Sequence, residues 1–332
     1  MMRYRRLGRT GLVVSEIGLG GGGIGHVWGE TTDEEIGETI ALAMREGINF
    51  YDVAPSYGNG AAEVNLGRAL LEAKDHRGEQ MLVATKVSLS EDDLADIPAA
   101  VERGVHESLE RLRRERIDVF QLHNTITPER GMYRRSVSIA DAMLAVETLH
   151  RLRQDGLTRF VGITGMGDAA SVRQVLRDGS LDTVQVYYNL LNDSAARPLP
   201  EGSSLHDHGQ LLPLASELGI GVISIRNLSG GAISAALDRD VDPDSLVAVD
   251  HQRAASLRFL EADGVPLSQW SARFALEQPA VSTVVPGVKN AAELADQIAA
   301  VDLPSIADAD LARLDELRET DFGVRQSSDR VL

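Results

Sequence analysis

The feature that most constrains this chain is an alternation. Short apolar runs at 16–19, 49–53, 81–87, 117–122, 158–163, 183–187, 221–225 and 281–285 are separated by stretches of helical periodicity. Those stretches lie at 32–45, 62–73, 94–113, 139–154, 169–177, 210–218 and 291–300. Connections of this length are too long for hairpins, so the strands they join run parallel. Eight such units close as a (β/α)8 TIM barrel, an α/β fold of about 250 residues before loops are added. An open doubly wound sheet is the alternative arrangement. Ahead of the first run, segments 4–7 and 12–15 flank Gly8-Arg9-Thr10-Gly11, which predicts an N-terminal β-hairpin closing the barrel's bottom. Thr32 and Glu35 have the spacing of a capping box. The stretch 229–276 exceeds one crossover and predicts extra helices at 246–262 and 267–277. The expected organisation is one barrel domain over 1–322 and a tail over 323–332.

Charge and composition narrow the function classes. Asp and Glu number 50 against 33 Lys and Arg, a net charge of −17, which repels nucleic acid and anionic membranes. The absence of cysteine excludes disulfides, thiolate nucleophiles and Cys-ligated metals. No apolar run approaches the ~18 residues of a membrane span, and the start does not read as a signal peptide, so a cytoplasmic protein is expected. Only Lys74, Lys86 and Lys289 are lysines. In a chain that otherwise uses arginine, a lysine marks a place where a compact ammonium matters.

The run Gly18-Leu19-Gly20-Gly21-Gly22-Gly23 matches G-x-G-x-x-G, but the helix that should open at once waits until Thr32. It reads as a loop at a barrel mouth. The stronger signal is distributed. Asp52 and Tyr57 follow the second strand, Lys86 ends the third and His123 ends the fourth. In a barrel these carboxyl ends converge on one site. A free phenol has a pKa of ~10, too high for efficient proton transfer at neutral pH. An adjacent ammonium, Lys86, is expected to lower it, with Asp52 orienting the lysine and uncharged His123 binding a substrate oxygen.

This set resembles the catalytic tetrad of the aldo-keto reductase family, and the resemblance runs over nearly the whole chain. It implies a nicotinamide-dependent oxidoreductase interconverting carbonyls and alcohols, with Tyr57 as general acid or base. It further implies cofactor contacts from Thr164, Gln185, Ile225, Arg226, Asn227, Leu228 and Gly230, with arginine where relatives commonly have serine. Gly287, Lys289, Asn290, Glu293 and Gln297 match the segment that binds the adenosine end. Lys289 favours NADP(H), whereas Glu293 replaces a common cation, so NAD(H) stays possible. Thr158–Gly165 and Asn189–Ser194 are closer to aldose or L-galactose dehydrogenase-like members, which keeps sugar oxidation open. A nicotinamide-binding regulatory barrel and a metal-dependent barrel enzyme using Asp52 and His123 are the other classes.

Remaining candidates are weaker. His206 and His208 lack a third ligand, so no metal is expected. Arg111, Arg113, Arg114 and Arg116 interleave with Glu110 and Glu115 as a solvated helix end. Trp28 is the expected substrate wall; Tyr51, Tyr188, Met132, Tyr133 and the polar loop 193–209 are further candidates for the mouth. The partner is a small carbonyl or sugar; oligomeric state is not legible.

Overall fold

The computed structural model describes residues 1–29, 31–73, 81–235, 237 and 239–324; Lys74 and most of the expected tail (325–332) lie outside the described residues. The hairpin forms as β1 (Tyr4–Arg6) and β2 (Val13–Ser15), antiparallel. The chain continues through β3 (Leu19–Gly20), α1 (Asp33–Arg45), β4 (Phe50–Asp52), α2 (Ala61–Glu72), β5 (Leu82–Val87), α3 (Ile97–Leu112) and β6 (Ile117–Leu122). A short ribbon, β7 (Ile126–Thr127) with β8 (Val137–Ser138), precedes α4 (Ile139–Gln154). There follow β9 (Thr158–Thr164), α5 (Ala169–Asp178), β10 (Thr183–Tyr187), α6 (Leu211–Leu218), β11 (Gly221–Ile225), α7 (Leu246–Ala255) and α8 (Leu267–Glu277). The last elements are β12 (Val281–Val284), α9 (Ala291–Ala299) and α10 (Asp308–Glu319).

The eight parallel strands lie in the order β3-β4-β5-β6-β9-β10-β11-β12. Parallel bridges Ile17–Val284 and Gly20–Gly287 join the two edges, so the sheet is a closed (β/α)8 barrel and not an open one. Glycine is required at this seam. A Cβ on Gly20 would lie 2.4 Å from the Pro286 carbonyl oxygen, so only bare backbone lets β3 approach β12.

The hairpin plugs the barrel from below. Leu7, Leu12 and Val14 pack with Phe50, Leu82, Ala84, Val119, Ile223 and Val285 inside the ring. Because side chains alternate along a strand, the next inward residue above Phe50 is Asp52, and above Ala84 it is Lys86. On β6 the inward series is Val119, Gln121 and then His123 just past the strand. The apolar plug therefore sets the height at which the ionisable groups emerge.

Thr32 accepts from the Glu35 amide and Glu35 reaches back to Thr32, the expected capping box. Three local expectations were incomplete. Segment 94–113 divides into a 3-10 turn (Asp92–Ala95) and α3, because Asp96 caps a new helix with Pro98 in its first turn. Helix α10 was not expected; its apolar face is narrow, and Leu314 is buried only by the assembled fold. Of the arginines at the end of α3, two are anchored: Arg111 donates to fully buried Glu63 at 2.6 Å and Arg114 to the Met81 carbonyl at 3.0 Å, while Arg113 and Arg116 are exposed as expected. Among the described residues no helix is long and apolar enough to cross a membrane.

Candidate active site

At the carboxyl ends of the strands a groove of ≈ 640 Å³ crosses the barrel. Its first end holds Asp52, Tyr57 and His123, and its far end holds Lys289, Glu293 and Gln297. Lys86 lies behind the first end, fully buried. Its ammonium donates to Asp52 Oδ2 at 2.8 Å and to the Val53 carbonyl at 2.8 Å. It also stands 5.1 Å from the centre of the Tyr57 ring. The four groups expected from the strand ends are thus gathered in one place.

Their electrostatics differ from the simple expectation. Burial pushes the Tyr57 phenol above its ordinary value, and the Lys86 charge pulls against that shift without cancelling it. The expected net lowering is therefore corrected: desolvation outweighs the ammonium at this half-buried ring. Burial pushes the Asp52 carboxyl up, opposed by Lys86 and Gln185. Burial alone would lower Lys86, but Asp52 and Tyr57 hold it above the usual ammonium value. The pair stands as carboxylate and ammonium, since each charge has further hydrogen-bond partners. His123 is pushed down to about 3, first by burial and then by the Lys86 charge, so it is neutral near pH 7. Its Nδ1 lies 3.3 Å from Ser88 Oγ.

Gln185 makes a contact the sequence did not announce. Its Nε2 donates to Asp52 Oδ1 at 2.6 Å, and its Oε1 lies 3.5 Å from Thr164 Oγ1. One amide thus locks the carboxylate that holds Lys86. Thr164, Ile225, Arg226, Asn227, Leu228, Gly230 and Gly287 all line the groove. Asn290 does not line it: its Oδ1 accepts the Glu293 amide at 3.0 Å and caps α9. The side chain is consumed by the helix terminus.

The mouth also differs. Trp28 lines the groove, whereas Tyr51 is core, donating to the Ile48 carbonyl, and Tyr188 stacks on Phe274. Met132 is exposed, and the loop 193–209 is not part of the wall. His206 Nε2 lies 3.0 Å from the Gly167 carbonyl, and His208 packs against Tyr187, so the loop backs the wall instead. Among the described residues no cluster suits a metal ion. Wall residues that escaped sequence reading include Ser234, Arg239, Ser268 and Asp296, and also Tyr187 and Met166, whose hydroxyl and sulfur meet at 3.2 Å. Tyr187 was legible in principle, lying two residues beyond Gln185 on the same inward face. Met166, in an irregular loop, gave no signal. Arg159 pairs with Asp118 at 2.8 Å, away from the groove.

The residues fit a dinucleotide. The volume lies within the 300–1,000 Å³ of small-molecule sites. Arg226 supplies a cation midway, with its guanidinium 5.4 Å over the Tyr187 ring. Bare backbone forms the floor, because a Cβ on Gly287 would meet the Trp28 indole at 2.8 Å. The glycine run contributes Gly20, Gly21 and Gly22 to this wall, but α1 begins only at Asp33, so it does not place a phosphate on a helix terminus.

The sequence model of the Aldo/keto reductase family matches residues 16–319. L-galactose dehydrogenase of Arabidopsis thaliana is 29% identical, covering 90% of this chain and 88% of its own length. NADH-specific methylglyoxal reductase of Escherichia coli is 28% identical, covering 96% of this chain and 99% of its own. The holo form of an aldo-keto reductase from Bacillus halodurans superposes with a TM-score of 0.72 at 22% identity, covering 96% of each chain.

Proposed function

The chain belongs to the aldo/keto reductase family, whose members are NAD(P)H-dependent oxidoreductases of carbonyl and alcohol groups, and from that premise we propose that Tyr57 exchanges the proton at the substrate oxygen. The observation that carries this reading is the Asp52–Lys86–Tyr57 contact series at one end of a dinucleotide-sized groove. Bound nicotinamide supplies or accepts the hydride at the substrate carbon. The protein's part is proton handling and orientation.

In the reductive direction the raised phenol is protonated near pH 7 and donates to the carbonyl oxygen as negative charge develops there. The Lys86 ammonium stabilises the phenolate left behind, and the charge it meets is fixed in place by Asp52 and Gln185. Neutral His123 donates a ring N–H to the same oxygen, which orients the substrate without placing a second cation beside Lys86. Trp28, Met166 and Tyr187 form an apolar wall that keeps water from the reacting atoms. In oxidation the same groups act in reverse.

The substrate in this reading is a small neutral carbonyl compound or a sugar, held against the Trp28 face. Oxidation of a sugar is the second reading, favoured by the similarity to a protein named L-galactose dehydrogenase. The reading takes residues 1–322 as one domain and the cytoplasm as its compartment, where nicotinamide nucleotides are supplied. Lys289 by itself favours NADP(H); its neighbour Glu293, 3.5 Å from the ammonium, opposes that preference.

A panel of neutral aldoses, aromatic aldehydes and sugar phosphates, assayed in both directions with either nicotinamide nucleotide, tests the proposal. Turnover of neutral carbonyls or aldoses supports it. A sugar phosphate outperforming every neutral compound by about tenfold, 1.4 kcal/mol, overturns this view of the pocket.

A further inference from the structure

We infer that Glu293 makes this groove select NAD(H) against NADP(H); the inference rests on the reading of the groove as a dinucleotide site. The proton-handling groups fix the nicotinamide at the Tyr57 end. A dinucleotide lying along the groove therefore puts its second nucleoside, the adenosine, at the end lined by Lys289, Glu293, Asp296 and Gln297. NADP(H) differs from NAD(H) only by a phosphate on that adenosine's ribose 2′-oxygen. The selection of cofactor thus depends on what this end offers to a dianion.

It offers little. Lys289 is a cation lining this end, and Glu293 engages it twice. Glu293 Oε2 accepts the Lys289 backbone N–H at 2.8 Å, and Oε1 lies 3.5 Å from the Lys289 ammonium. The carboxylate holds this position because Asn290 accepts the Glu293 amide, starting α9 with the side chain turned back over its first turn. A second carboxylate, Asp296, lines the same end, bound by Ser268 at 2.6 Å and Gln269 at 2.7 Å. Two carboxylates thus flank Lys289, while Arg239, also in the groove wall, donates to the Gly230 carbonyl at 2.6 Å and lies over the Trp28 ring. A 2′-phosphate would meet like charge and would compete for a backbone N–H and an ammonium already taken. A ribose 2′-hydroxyl, in contrast, can donate to the Glu293 carboxylate, a bond that no phosphate makes. One residue therefore favours one cofactor and repels the other.

The test is direct binding, by quenching of tryptophan fluorescence or by calorimetry, of NADH and NADPH to the full chain without substrate. The expected result is NADH tighter by at least about tenfold, with the ratio shrinking as added salt screens the repulsion. Glu293→Gln and Glu293→Ser should each tighten NADPH by about tenfold or more and weaken NADH. Glu293 is partly exposed, so both variants should fold, which thermal melting verifies. NADPH binding the unaltered protein as tightly as NADH, or variants that leave the ratio unchanged, overturns the inference while the functional reading stands. Binding of neither nucleotide overturns the reading itself.

Discussion

Lys86 Nζ lies 2.8 Å from Asp52 Oδ2, and both groups are sealed from solvent on adjacent strands β4 and β5. Taking two charges out of water costs several kcal/mol per ion, and only close geometry with further hydrogen bonds recovers it. Here Val53 and Gln185 supply those bonds. Such a pair is a poor choice for stability alone. Its position beside Tyr57 gives it a use, since a fixed ammonium next to a half-buried phenol offsets part of the cost of forming phenolate.

Removing the Tyr57 hydroxyl should separate chemistry from binding. Tyr57→Phe keeps the ring, so nucleotide affinity should stay near its original value. Turnover should fall at least about 10²-fold, the lower range for a positioned proton donor. Steady-state kinetics together with nucleotide titration check this, and near-normal turnover would falsify the assignment.

Lys86→Met should cost more than activity. It leaves Asp52 buried without its cation, a loss of about 3–5 kcal/mol that urea unfolding reads directly. It also removes the charge that pulls the phenol down, so the oxidative rate profile should move to higher pH. Lys86→Arg should restore little, because a broad planar guanidinium does not fit a fully buried space shaped for an ammonium. Full recovery by arginine would reduce the role of Lys86 to generic positive charge.

The two directions of reaction should differ in pH dependence. With the phenol raised above its ordinary value of 10.0, its protonated form persists through neutral and mildly alkaline pH. Reduction should show no loss from Tyr57 below about pH 10, while oxidation, which needs phenolate, should climb. His123, held at about 3, should contribute no inflection between pH 5 and 8. A bell-shaped reductive profile with a limb near pH 6.5 that disappears in His123→Asn would contradict this.

Acid should weaken the fold through His208. It is buried, and burial pushes it down to about 3 from 6.5, with His206 and Arg226 adding to the shift. The unfolded chain therefore binds a proton that the folded chain refuses between those values. Stability from this residue is complete above about pH 6.5 and declines as the pH falls toward 3, by up to about 1.4 kcal/mol per pH unit. Urea midpoints at pH 7 and 5 should converge in His208→Gln relative to the unaltered protein. An unchanged slope would show that His208 is not buried in its neutral form.

Gly23→Ala should destabilise without touching a charged group. A Cβ there would lie 1.8 Å from the Val288 carbonyl oxygen, so the backbone beside Lys289 must shift. A loss of at least about 2 kcal/mol is expected by chemical unfolding, together with weaker nucleotide binding. Little change in either would mean that the loop from β3 yields freely.

The sequence by itself determined the barrel and the height of the site in it. Alternation of strand and helix specifies parallel closure. Period-two spacing carries Phe50 to Asp52 and Ala84 to Lys86, which puts charge one step above the apolar plug. Capping residue Thr32 was legible because its partner lies three residues away. Tertiary structure decided what depends on neighbours distant in sequence. Gln185 reaches Asp52 across 133 positions, and no local pattern announces that bond. The loop 193–209 has the polarity of a pocket rim, yet Arg318 on α10 binds Asp193 at 3.0 Å and holds it behind the wall. The direction of the Tyr57 shift was equally out of reach. Residue types give the opposing effects, an ammonium and an apolar surround, but their balance depends on how completely the fold excludes water. Short-range hydrogen bonds and periodicity are written in adjacent residues; burial exists only once the whole chain has closed.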